Sequence, residues 1–170
     1  VVPADPVKNR ARIQEALPIA KSADAVVLVL GTNESTSREA WADSHLGDAS
    51  DITLTSQQQE LVDAVVALGK PTVAVLIHGR PLAIPQLAEK VPAILDAWYV
   101  GQEGGTAIGE ILFGDVNPSG KLPVTLPRSV GQLPVYYNRK PTSFRNFNDS
   151  TRDPLFVFGH GLSYTTFALA

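Results

Sequence analysis

The feature that most constrains the fold is a short apolar run followed by a long polar stretch. The run from Ala25 to Leu30 has the length and β-branched content of a strand buried on both faces, and Gly31 ends it. Residues 32–51, here called the acidic loop, offer only Trp41 and Leu46 as large apolar anchors. Loops this long in compact domains are usually functional or disordered. Open α/β sheets bind ligands at the carboxyl ends of their strands, so we expect the acidic loop to be functional rather than disordered. The candidate carboxylates are Glu34, Glu39, Asp43, Asp48 and Asp51.

The rest of the chain alternates predicted strands with predicted helices. Two further apolar runs, Thr72 to Ile77 and Ala93 to Trp98, predict strands, and a short helix is predicted over Pro85 to Lys90. A helical stripe of apolar residues over 107–113 follows the last strand. This alternation predicts an α/β fold in which parallel strands are joined by right-handed crossovers and helices cover both faces.

The clearest helix begins after Ser56. Ser56 and Gln59 have the spacing of a capping box, in which two side chains bond the first backbone N–H groups of a helix. Apolar residues from Leu61 to Leu68 then recur at helical spacing, and Gly69 is a typical stop. We therefore predict an amphipathic helix between the first two strands.

Composition narrows the class of protein. With 170 residues, 44% of them hydrophobic, the chain is expected to form one domain with one core. A net charge of -3 without a Lys/Arg cluster predicts neither nucleic acid nor an anionic membrane as a partner. The absence of cysteine excludes disulfides and thiolate metal sites. The start, VVPADP, has no initiator Met and no signal-like pattern, so we expect a piece of a longer or processed chain.

Other common chemistries fit the sequence poorly. Gly31 is followed closely by the carboxylate of Glu34, which repels the phosphate that a nucleotide site must hold. No serine lies in a G-x-S-x-G elbow. His45, His78 and His160 lack metal-ligand spacing, so we predict no metal and no cofactor. Carboxylates remain, and a partly desolvated carboxylic acid can protonate a leaving oxygen, as glycoside hydrolysis with two carboxylates requires.

Three segments carry a resemblance to a known family. They are GKPTVAVLIHGRPLAI from Gly69, PAILDAWYVGQEGGTAIGEILFGDVNPSGKLPVTLPRSVGQLPVYYNRKP from Pro92, and PLFVFGHGLSYTTF from Pro154. In their order and spacing the chain resembles the second, α/β-sandwich domain of glycoside hydrolase family 3, in the β-glucosidase branch that includes bacterial periplasmic enzymes. The resemblance implies that residues 1–170 form a single three-layer sandwich with a mostly parallel six-stranded sheet. It also implies a preceding (β/α)8 barrel domain, which these residues do not contain.

The family resemblance also implies roles for individual residues. An aspartate of the barrel would attack the anomeric carbon, while a glutamate of the acidic loop protonates the leaving oxygen and later activates water. Carried over by position, the acid/base is Glu39 in the REAW segment, with Glu34 as the runner-up. Trp41 and His45 would line the aglycone side. The sequence departs from the family pattern at Thr32, where many members have glutamate, and at Ala49, where related chains often have arginine.

The implied activity is retaining hydrolysis of terminal β-D-glucosyl residues, without metal or organic cofactor, in the periplasm or outside the cell. The isolated chain is expected to be nearly inactive because the nucleophile lies in the barrel. The alternative is a noncatalytic glycan-binding or assembly module whose loop carboxylates only form hydrogen bonds. A barrel sequence upstream of Val1 favours the first interpretation, and a reading frame that begins near Val1 favours the second.

The family segment around Arg80 looks structural. In His78-Gly79-Arg80-Pro81 we expect Gly79 to supply backbone freedom. We expect Arg80 to bind a buried carboxylate or a carbonyl group.

Overall fold

The computed structural model describes residues 5–45, 47–140 and 147–168. The chain divides into two compact units, one ending at Tyr99 and the other beginning at Val100. The first unit contains helices, strands and loops in the order expected of an α/β fold. Its elements are α1 (Pro6–Ser22), β1 (Val26–Gly31), α2 (Glu34–Ser37), α3 (Gln58–Val66), β2 (Thr72–Ile77), α4 (Pro85–Lys90) and β3 (Ala93–Asp96).

The sheet of the first unit is parallel, with β2 in the centre. Its strand order is β1-β2-β3, and the register pairs Val26 with Thr72 and Val73 with Ala93. The predicted α/β class with parallel strands is therefore confirmed. The described residues form three strands, so the six-stranded sheet implied by the family resemblance is not confirmed.

The two faces of β1 differ in burial. Leu28 and Leu30 are buried on one face, whereas Val27 and Val29 on the other are 49% and 65% exposed. The prediction of a strand buried on both faces is therefore wrong for β1. Within the described residues β1 lies at the edge of the sheet, where the face that carries Val27 and Val29 is only partly covered; on central β2 the register neighbour of Val29, Val75, is buried.

Helix α1 has a side-chain cap, and ion pairs join α1 to α3 and α3 to α4. Asp5 caps α1 by accepting a hydrogen bond from Lys8 N at 3.1 Å, and the helix continues past Pro18. Between α1 and α3, Arg10 and Glu60 form a bidentate pair with 2.7 and 2.8 Å bonds. A 2.7 Å bond from Lys90 of α4 lowers the pKa of the Asp63 carboxyl on α3.

The start of α3 differs from the capping-box prediction. Its N-cap is Gln57, without a side-chain cap, and Ser56 has φ 57°. The predicted pairing of Ser56 with Gln59 is therefore wrong, because Ser56 precedes the N-cap in a left-handed conformation that an N-cap serine does not adopt. Helix α3 ends at Val66 with Ala67 as its C-cap, earlier than the predicted stop at Gly69, which has φ 69° in the turn that follows.

The second unit contains one longer helix and then mostly irregular backbone. Helix α5 (Gly104–Phe113) ends at Gly114 with φ 83°, and a 3₁₀ turn spans Val130–Gln132. Gln132 is buried and donates to the carbonyls of Thr151 and Asp153 at 2.9 and 3.2 Å.

Across the described ranges of both units, no helix has the length and apolar character needed to cross a membrane.

Candidate active site

The acidic loop begins where β1 and β2 end side by side. Gly31 has φ 136° and lies against the Ile77 carbonyl, so a side chain at this position would overlap the neighbouring strand. Thr32 N donates to Ile77 O at 3.0 Å, and the Gln58 amide bonds both Gly31 N and Gly31 O at 2.7 Å. These bonds attach the start of the loop to the sheet and to α3.

The first turn of the loop is the short helix α2. Asn33 caps it, accepting from Thr36 N at 3.1 Å, while Thr36 Oγ1 accepts from Asn33 N at 3.1 Å. This turn was not predicted from the sequence, although two short polar side chains three residues apart are its signal. Glu34, the runner-up acid/base, lies on this turn with its side chain 79% exposed and 4.0 Å from Arg38 Nη1.

Glu39 comes after Arg38, the C-cap of α2. Its backbone is held by residues 47 and 48 of the same loop. Ala40 N donates to Asp48 Oδ1 at 2.8 Å, and Gly47 lies so close to the Glu39–Ala40 peptide that a Cβ there would overlap it. Glu39 itself is exposed. The loop therefore combines an anchored backbone with an exposed carboxylate.

The other candidate carboxylates differ in what they bind. Asp48 bonds the backbone N–H of Ala40, and Asp51 accepts from Thr53 N and Thr53 Oγ1 at 2.9 and 3.0 Å. Asp43 is exposed. All five carboxylates are exposed, but Asp48 and Asp51 hold the shape of the loop through bonds to backbone N–H groups, which leaves Glu34, Glu39 and Asp43 as the candidates for contact with a ligand.

Trp41 and His45 lie together in the part of the loop that follows Glu39. Their ring centroids are 4.7 Å apart, and His45 N donates to Ala42 O at 2.9 Å. Trp41 is 76% exposed, so it does not anchor the loop in this chain. Leu46, the other predicted anchor, lies outside the described residues. The pair presents an aromatic surface of the kind on which a ligand ring can stack.

Arg80, at the end of β2, holds the acidic loop through backbone carbonyls. Its guanidinium donates to Ser37 O at 3.1 Å, Arg38 O at 2.6 Å and Gly47 O at 3.5 Å. The prediction that Arg80 binds a carboxylate or carbonyl is confirmed for carbonyls. Gly79 beside it is packed against the ring of Tyr99, so the position lacks room for a side chain.

A buried cluster lies behind Arg80 at the ends of β2 and β3. His78 is 1% exposed; its Nδ1 bonds Arg80 O at 2.7 Å and its Nε2 bonds Asp96 Oδ1 at 2.5 Å. The ring of Trp98 packs on His78 at 4.7 Å. Sequence analysis did not identify this cluster, although these residues come at the ends of consecutive parallel strands. Within the described ranges, no group of three or more His, Cys, Asp or Glu side chains is placed to hold a metal ion.

Comparisons with known proteins relate this chain to one family. The model of the glycosyl hydrolase family 3 C-terminal domain matches residues 2–164. A periplasmic β-glucosidase of Salmonella typhimurium is 44% identical over 99% of this chain, which spans 23% of that protein. A β-xylosidase of Formosa agariphila is 47% identical over 90% of the chain and 21% of its own length.

A solved structure gives the same result for the fold. The structure of a β-glucosidase from Erythrobacter marinus superposes with a TM-score of 0.94 at 60% identity, covering 98% of this chain and 22% of that protein. The chain thus spans about a fifth of the length of each of these relatives. With the family model matching nearly all of its residues, the chain belongs to the glycosyl hydrolase family 3 C-terminal domain family.

Proposed function

We propose that this chain is the acid/base-bearing domain of a retaining exo-β-glucosidase, with Glu39 as the acid/base. The observation that carries the proposal is the position of Glu39, exposed on a backbone held by Asp48 and by the close approach of Gly47. A group that transfers protons in a transition state needs access to the substrate and a defined position. Family membership supports the same reaction class.

In the proposed mechanism Glu39 moves one proton in each of two steps. First, a carboxylate of a separate barrel domain attacks the anomeric carbon while Glu39 gives its proton to the leaving oxygen, so that the glycosidic bond breaks and an alcohol departs. Next, the Glu39 carboxylate takes a proton from water, whose oxygen attacks the anomeric carbon and releases the nucleophile. The sugar leaves with its anomeric configuration retained.

The proposal extends to substrate, architecture and location. The substrate is a terminal β-D-glucosyl residue, in keeping with the relatives named β-glucosidase, and Trp41 and His45 line the aglycone side. Residues 1–170 form one domain, a three-layer sandwich completed to six strands, which works with a (β/α)8 barrel. The protein acts in the periplasm or outside the cell, as the name of one relative suggests.

The test is the Glu39→Gln variant of the full-length protein, assayed with an aryl β-glucoside of good leaving group, with and without azide. Proton transfer by a positioned side chain contributes about 10²–10⁴-fold, so turnover should fall by that order. Azide attacks without needing a base, and it should restore turnover with β-glucosyl azide as the product.

The matched control is Glu34→Gln, which changes another exposed glutamate five residues earlier. It should keep nearly the parental rate. If Glu34→Gln alone is slowed and rescued by azide, the acid/base is Glu34. If both variants behave like the parent, the noncatalytic glycan-binding module becomes the better interpretation, with the exposed Trp41 as its sugar platform.

A further inference from the structure

We propose that Arg80 is a positioning residue for the acid/base, and that the buried His78–Asp96 pair holds Arg80 in place. The inference rests on the proposed function, because it concerns how Glu39 is held. Arg80 has no proposed contact with the sugar. Its effect passes through the backbone of the acidic loop.

The Arg80 guanidinium binds backbone carbonyls on both sides of Glu39 in the acidic loop. Its two strongest bonds go to the carbonyls of Ser37 and Arg38, the two residues that directly precede Glu39. A longer 3.5 Å bond goes to the carbonyl of Gly47, which lies against the Glu39–Ala40 peptide. One side chain therefore connects both ends of the loop around Glu39.

Arg80 is itself held through its backbone carbonyl. The carbonyl of Arg80 accepts a hydrogen bond from Nδ1 of His78, so that ring nitrogen carries a hydrogen. The opposite nitrogen of His78, Nε2, is hydrogen-bonded to Asp96 Oδ1 on β3. The His78 ring is buried and packs against Trp98. The backbone of Arg80 is thus connected through His78, directly after β2, to Asp96 at the end of β3.

The bonds to several carbonyls depend on the shape of the arginine side chain at position 80. A guanidinium is a planar fork that donates to several acceptors in fixed directions, whereas an ammonium is a compact point charge. Lysine at position 80 could bond one carbonyl but could not hold those of Ser37 and Arg38 in the same geometry. We therefore expect Arg80→Lys to leave the charge in place and to let the Glu39 backbone shift.

The experiment measures kcat of full-length Arg80→Lys on aryl β-glucosides with leaving groups of increasing pKa. A poor leaving group needs the proton from Glu39, so its kcat should fall by about 10²-fold, the size of effect expected from a 1 Å displacement. A good leaving group needs less help and should lose less. Azide should raise turnover of the good substrate several-fold, because it bypasses the misplaced base.

Two reference variants accompany Arg80→Lys. Arg10→Lys changes an arginine that pairs with Glu60 between α1 and α3, and it should match the parent on every substrate. Glu39→Gln is run in the same assays. If Glu39→Gln is not rescued by azide, the assignment of Glu39 as the acid/base fails, whatever Arg80→Lys does.

The inference about Arg80 fails separately from the function. If Glu39→Gln is rescued while Arg80→Lys equals the parent, Arg80 does not position the acid/base. A loss that is equal for all leaving groups and insensitive to azide also overturns the inference, since it reports only less folded enzyme. If Arg80→Lys does not fold, Asp96→Asn replaces it: the same leaving-group dependence supports the inference, and its absence overturns it.

Discussion

Gly47 illustrates how one residue without a side chain shapes the candidate site. A Cβ at this position would overlap the carbonyl carbon of Glu39, and the Gly47 carbonyl faces the Arg80 guanidinium. Glycine is needed here for close approach of two backbone segments, since its φ lies outside the left-handed range. The acidic loop can close on itself only because this position is small.

Gly47→Ala should therefore lower kcat about tenfold or more, because the added methyl group displaces the Glu39 peptide. The measurement is steady-state turnover of an aryl β-glucoside by the full-length protein. Gly109→Ala, inside α5 with no atom near its added Cβ, is the matched control and should keep the parental rate. Parental turnover by Gly47→Ala would contradict this role, because the Glu39–Ala40 peptide could then move without lowering kcat.

At the scale of an element, the junction of β1 with α3 depends on one side chain, Gln58. Gln58 donates to Gly31 O and accepts from Gly31 N, so one side-chain amide pairs with the peptide groups at the end of an edge strand. Without that amide, two partly buried backbone groups would lose their partners. The start of the acidic loop depends on this contact as well.

Gln58→Ala is expected to destabilise the end of β1 locally by about 1–3 kcal/mol, the cost of leaving buried polar groups unpaired. Hydrogen exchange of the β1 and β2 amides measures this directly. The control is the adjacent Gln59→Ala, which loses only an exposed 2.9 Å bond to Asp63 and should change exchange by less than about 0.5 kcal/mol. Equal protection in both variants would contradict the role of Gln58.

At the scale of the whole molecule, the proposed function makes this chain one side of a site shared with another domain. It spans about a fifth of the relatives to which it was compared, and retaining glycoside hydrolysis needs a nucleophile and an acid/base on opposite sides of one sugar. In the proposed function the acidic loop provides the acid/base alone. Activity is then a property of the joined domains.

Residues 1–170 produced alone should hydrolyse an aryl β-glucoside at least about 10⁴-fold more slowly than the full-length protein, as expected when one member of a catalytic pair is missing. The assay compares both proteins at equal concentration, and circular dichroism checks that the shorter one is folded. Full turnover by the isolated chain would mean that both carboxylates lie within these residues.

Much of the fold could be predicted because it depends on local pattern. The strand over Thr72–Ile77 and the helix over Pro85–Lys90 have the predicted bounds, since side-chain periodicity and proline act within a few residues. The third strand ends at Asp96 rather than at the predicted Trp98, whose φ is 55°. A left-handed residue cannot continue a strand, and only its surroundings in the fold impose that conformation.

The sequence by itself determined the α/β alternation, the family resemblance and the acidic character of the loop. The tertiary structure decided which carboxylates of that loop bind backbone N–H groups, namely Asp48 and Asp51. Its decisive contacts join Ala40 to Asp48, Gly31 to Gln58 and Ser37 to Arg80. Periodicity carries no information about such pairings, because each depends on where the ends of neighbouring strands bring the chain together.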